Sequence, residues 1–164
     1  MTTKTNFLGI PVEGDINKAD ERTPQKPLSE LEPLIRAVLD DPTMKAFGWN
    51  QYTPYFNDGD PCVFRVNGPW FLTEADPDPD DVEDHYDFSM DSDHPSLGKR
   101  VYDWRNKVYG PYEGSDEARY DRVKELAGAL EAGAFENVLL EAFGDHAQVT
   151  VRASGITVDF YSHD

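Results

Sequence analysis

The chain has 164 residues, 38% of them apolar, and 32 Asp and Glu against 15 Lys and Arg leave a formal charge of −17. A domain of this length can bury a core without a disulfide or a metal. Its acidic field repels nucleic acid and anionic membranes and attracts basic proteins and cations.

Cys62 is the only cysteine, so no internal disulfide can form. Met1 to Gly14 lacks the basic-then-apolar order of a signal peptide, and no apolar run approaches the length of a membrane span. The cytosol is therefore the expected compartment. Residues 1–27, with Pro11, Pro24 and Pro27, read as an irregular or flexible lead-in, and residues 28–164 as a single α+β domain. Ser29 and Glu32 have capping-box spacing, and Leu31, Leu34, Ile35, Val38 and Leu39 recur with helical period. Asp41-Pro42 stops that helix, and Thr43 to Phe47 reads as a short second one.

Trp49 to Phe56 is aromatic and β-prone, and Asn57-Asp58-Gly59-Asp60 is a turn signal. Cys62 to Val66 reads as the returning strand, with Cys62, Phe64 and Val66 on one face, which implies a buried thiol. Pro54 places the first strand at an edge. Gly68-Pro69 predicts another turn before a third strand, Trp70 to Thr73. Glu74 to Asp93 then holds ten acids and no Lys or Arg, within an acidic loop spanning 74–95. After it, Leu97, Val101, Trp104 and Val108 lie at offsets of four, three and four, which predicts a basic helix over Ser96–Tyr109.

Ser115 is the expected N-cap of a further helix running to Glu131 and burying Tyr120, Val123, Ala127 and Leu130. Val138–Phe143, His146–Ala153 and Ile156–Tyr161 read as a three-stranded meander joined at Gly144-Asp145 and Ser154-Gly155. Residues 135–143 also fit a helical period, but the Gly-Asp joint favours a strand. The predicted fold is α+β: an antiparallel sheet, made of the central hairpin and the C-terminal meander, with helices packed on one face.

Asp76, Asp78 and Asp80 have the 1, 3, 5 spacing of a calcium loop, yet position 6 is Asp81 rather than Gly and position 12 is Asp87 rather than Glu. An EF-hand is thereby rejected, leaving only an irregular divalent-cation site at the acidic loop. His85, Asp87, Asp93 and His94 offer imidazole and carboxylate ligands for a transition metal, without a zinc-type spacing to support them. Polar-loop surface positions are the competing reading for His85 and His94. His146 and His163 stand alone in sequence and read as solvated or capping. No nucleophile elbow, P-loop or dinucleotide fingerprint is present, so no catalytic residue and no cofactor is assigned.

The run W-x-Q-Y-T-P-Y-F-N-D-G-D-P-C-x-F, Trp49 to Phe64, together with the terminal G-I-T-V-D-F-Y-S-H-D, resembles a family of small acidic proteins, of no established activity, from bacteria and their phages. The likeness covers most of the chain beyond residue 28. It implies a compact domain and a phage context, and it supplies no catalytic residues.

The expected function is a non-enzymatic protein-binding module. Asp76, Asp78, Asp80, Asp81, Glu83, Asp84 and Asp87 would meet a basic or nucleic-acid-binding protein, with Trp49, Tyr52 and Tyr55 as anchors wherever the aromatic hairpin does not fill the core, the competing reading for its rings. In a phage the natural version is an inhibitor that mimics DNA. Ten acids over twenty extended residues give one charge per roughly 6–7 Å, against about 1.7 Å in a duplex, so acids from Glu113 to Glu125 or elsewhere would have to fold beside the segment. A metal-dependent enzyme using loop carboxylates and His is the first alternative. The second is an accessory protein whose Lys99–Lys107 stretch neutralises the acidic loop.

Overall fold

The computed structural model describes residues 3–14, 23–55, 59, 62–80, 82, 86–88 and 94–163. In chain order the elements are β1 (Thr3–Phe7), β2 (Ile10–Gly14), α1 (Leu28–Leu39), β3 (Met44–Tyr52), β4 (Arg65–Thr73), β5 (Lys99–Asp103), β6 (Val108–Glu113), α2 (Glu117–Glu131), α3 (Glu136–Phe143), β7 (Ala147–Arg152) and β8 (Gly155–Phe160). The main sheet is antiparallel in the order β4-β3-β7-β8, and β1–β2 and β5–β6 form separate hairpins. The predicted α+β class, with an antiparallel sheet and helices on one face, is the fold observed.

Alternation along β3 turns Phe47 and Trp49 to the helical side, where they join Phe71, Val149 and Val151 with Leu31 and Val38 of α1, Val123, Leu126 and Leu130 of α2 and Leu139 of α3. The opposite side carries Ala46, Trp70 and Leu72, covered by Val82 and Tyr86 of the acidic segment. That segment also rides along the β4 edge, since Asp87 bridges Trp70 and the Phe88 amide donates to the Pro69 carbonyl. Val82, Tyr86, Asp87 and Phe88 are thus part of the packing. The Trp70 indole lies across Gly48, where a Cβ would come within 2.6 Å of the ring and 2.2 Å of the Val149 carbonyl.

Several local expectations give way to tertiary structure. Met44–Phe47 is the start of β3, preceded by a turn at Thr43, not a helix, and β3 is central rather than an edge, because Pro54 lies beyond its end and removes no ladder bond. Gly68-Pro69 is not a turn between strands but an irregularity within β4, opposite the Gly48–Asn50 step of β3, with Gly68 at φ 56°. Residues 136–143 are helix α3. The joint at Gly144-Asp145 needs no preceding strand, because β3, distant in sequence, is the partner of β7.

The predicted helix over Ser96–Tyr109 is instead a buried Leu97 followed by the β5–β6 hairpin. Asp103 caps its turn by accepting from the Arg105 and Asn106 amides, and Lys107 adopts φ 56°. The first helix starts after Pro27 rather than at a Ser29 cap, and α2 is capped by the Asp116 carboxylate rather than Ser115. Within the expected lead-in, residues 3–14 form a hairpin with Leu8-Gly9 at positive φ. Thr23–Lys26 is tied to the α2–α3 junction, where the Lys26 amide donates to Ala134 and Gln25 Nε2 to Gly133.

Candidate interaction surface

The acidic segment begins where β4 ends, and its first acids split into two kinds. Asp76 turns back into the fold and is only 5% exposed. Its Oδ2 accepts from the Thr73 amide at 2.8 Å, from the Thr73 hydroxyl at 3.3 Å and from the Ser96 hydroxyl at 2.6 Å. The expected role of Asp76 as a solvent-facing contact is thus corrected: it pins the turn. Asp78 and Asp80 are exposed. Asp78 pairs with Lys45 at 3.2 Å and with Arg152 at 3.7 Å, while Lys45 also donates to the Asp76 carbonyl. Asp87 is half-buried on the β4 edge. Asp81, Glu83, Asp84, His85 and Asp93 lie outside the described residues.

His94 is not at the surface. Its Nε2 donates to the Phe71 carbonyl at 2.6 Å, and Nδ1 accepts from the Ser96 and Leu97 amides, both at 3.2 Å. Burial holds its pKa below the ordinary imidazole value, against the opposing pull of the Phe71 carbonyl and Asp76. Ser96, His94 and Asp76 are the residue types of a nucleophilic triad, but their bonds run the wrong way for one. The Ser96 hydroxyl lies 2.6 Å from Asp76, to which it donates, and 3.4 Å from His94 Nδ1, which already accepts from the Ser96 and Leu97 amides, while the Nε2 proton is committed to a backbone carbonyl. Among the described residues no three His, Cys, Asp or Glu side chains converge as a metal site.

A second set of acids comes to the same end of the molecule. Arg119, nearly buried in α2, donates to the Thr43 hydroxyl and to the Ser96 carbonyl, and Arg122 pairs with Asp41 at 2.9 Å. These bonds draw the Asp40–Thr43 corner, the Thr73–Asp80 turn and the first half of α2 together. Burial acts to raise the Asp41 pKa, but hydrogen bonds from Thr43 and Arg122 outweigh it and hold the carboxyl below its usual range. On the exposed side of α2, Glu117 and Asp121 share Arg100. Arg100, from the basic stretch, therefore serves α2, whereas the described partners of Asp78 are Lys45 and Arg152.

The aromatic anchors also sort differently from the prediction. Trp49 is core, 1% exposed, with Nε1 donating to Gln51 Oε1. Tyr52 is half-buried, and Tyr55 is exposed, stacking on both His146 and His163. Those two histidines are not isolated, because the β7–β8 register brings Nδ1 of one to 2.7 Å from Nε2 of the other. Cys62 is exposed rather than buried.

The aromatic residue that the sequence reading missed is Trp104, 77% exposed at the tip of β5–β6. Its signal was Asp103 three residues before Asn106, an Asx-turn pattern between β-prone Arg100–Tyr102 and Val108–Tyr109. Comparison of the chain with protein-family models, with curated proteins and with solved structures gives no match. No helix among the described residues is long and apolar enough to cross a membrane.

Proposed function

We propose that the protein is a non-enzymatic binding module whose acidic end engages a basic or nucleic-acid-binding surface of a partner protein. In a phage setting it would be an inhibitor occupying a host protein's nucleic-acid groove. The observation that supports this reading is the pinned turn: buried Asp76 fixes the backbone from which exposed Asp78 and Asp80 project, beside Asp41 and α2. Preorganised carboxylates lose little freedom on binding, which favours them as recognition elements. The bridges of Asp78 to Lys45 and Arg152 are solvent-exposed and worth about 0–1 kcal/mol, so a partner's guanidinium can replace them.

On this reading the charge that the loop alone lacks would come from exposed acids of α2 such as Glu117 and Asp121, once a partner's cations displace Arg100 from them. The test is capture of a basic partner from a bacterial lysate by the purified protein, at low and moderate salt, beside a variant carrying Asp78→Asn, Asp80→Asn, Glu117→Gln and Asp121→Asn. Capture that weakens with salt and is lost in the variant supports the reading. Capture unchanged by all four neutralisations sinks it. Asp76 is excluded from the variant because its loss would perturb the turn itself.

A further inference from the structure

At the far edge of the main sheet, β8 has no neighbour on its outer side among the described residues. The two-residue joint at Ala153-Ser154 pairs Arg152 with Gly155, and the ladder continues to Ala147 opposite Phe160. Just beyond it the Tyr161 amide donates to the His146 carbonyl at 2.8 Å. Because antiparallel pairs alternate between bonded and non-bonded, that bond sets the parity. Odd-numbered residues of β8 spend their backbone groups on β7, while Ile156, Val158 and Phe160 direct theirs to the open edge. The same three side chains continue the apolar face of Val151, Val149 and Ala147, yet they remain 52%, 47% and 74% exposed. Helices α1 and α3 stop short of them, leaving a groove of about 390 Å³ lined by Leu28, Ile35, Leu39, Val138, Phe143 and Ile156.

We propose that β8 is the interface with a second copy of this chain, the two strands pairing antiparallel about a two-fold axis through Val158 to make one eight-stranded sheet. The strand is complementary to itself in this register. Ile156 lies opposite Phe160 of the second copy, and Val158 opposite its own mate, each a pair whose backbone groups face the open edge. On the other face Thr157 lies opposite Asp159 of the second copy, so the only charge in the strand does not confront itself. Aliphatic and aromatic cross-strand neighbours of this kind stabilise pairing. An apolar edge strand without Lys, Pro or a bulge lacks the usual devices that block pairing.

This interface is independent of the acidic end and has the opposite salt response. Two copies each carrying −17 repel, so added salt tightens self-association, whereas it weakens capture of a basic partner. The experiment is sedimentation equilibrium of the full chain. The expected mass is twice 18.5 kDa, falling to one chain in Val158→Pro, which removes an edge-facing amide and no bond to β7, and in Val158→Lys, which places a charge on the axis.

In a Cys62→Ser background, Val158→Cys should form a disulfide-linked dimer under mild oxidation, since paired Cα atoms lie about 5.5 Å apart. Thr157→Cys should not, since its mate lies on a diagonal about 7–8 Å away. A single-chain mass at all concentrations up to about 100 µM, well above a micromolar Kd, overturns the proposal. So does a dimer that persists in both Val158 variants, or cross-linking at 157 in preference to 158.

Discussion

Replacing Asp76 by Ala removes the acceptor for the Thr73 amide and for the hydroxyls of Thr73 and Ser96. The amide is the expensive loss, because a buried donor left without an acceptor costs about 1–3 kcal/mol. The two hydroxyls can rotate toward other acceptors and add less, which brings the total to about 2–4 kcal/mol. With a urea slope of about 1–3 kcal/mol/M, the unfolding midpoint should fall by roughly 1–2 M. Asp76→Asn keeps an oxygen for the amide and should lose about half as much. Asp80→Ala, four residues on and exposed, should stay within about 0.5 kcal/mol of the parent. Equal midpoints for the Asp76→Ala and Asp80→Ala proteins would refute the division of this segment into a structural and a solvent-facing acid.

Three further outcomes concern His94, two carboxylates and Gly48. Burial keeps His94 below the ordinary imidazole pKa, so the unfolded chain binds the proton first as pH falls. The stability contributed by neutral His94 is present above about pH 6.5 and is lost below it. Urea midpoints at pH 7.5 and pH 5.5 should therefore differ more in the parent than in His94→Gln, and equal differences would count against the buried assignment. Asp41 and Asp145 also have lowered pKa values, and their contribution is lost only as pH falls below their ordinary value, near 4. Gly48→Ala would force a Cβ against the Val149 carbonyl and the Trp70 ring, for a cost of about 3 kcal/mol. A melting temperature equal to the parent's would show that the indole does not pack as described.

How far the sequence could be read depended on the range of the interactions. Where the deciding contacts are local, pattern and structure agree. Tyr120, Val123, Ala127 and Leu130 mark the buried face of α2 at helical spacing, and Val149 and Val151 alternate into the core from β7. Ile156, Val158 and Phe160 show the same alternation, and the structure gives it a different meaning, since the helices that bury Val149 and Val151 leave these three side chains exposed. The acidic composition of residues 74–93 was plain in the sequence, but the inward turn of Asp76 was not. It depends on Ser96, twenty residues away, meeting the end of β4.

The failures share one cause. Residues 97–108 fit a helical period and residues 135–143 fit both a helical and a strand period, and the chain's own neighbourhood does not decide the outcome in either. An Asx turn at Asp103 decided the first, and a partner strand nearly a hundred residues upstream decided the second. The sequence by itself determined the charge, the helix over 117–131 and the β-hairpin at the C-terminal end, because propensity and spacing act within one element. Only the tertiary structure decided which strand is central, which acids face water and which aromatics stand exposed. Burial is a property of what comes to lie on a side chain, and here that cover arrives from distant parts of the chain.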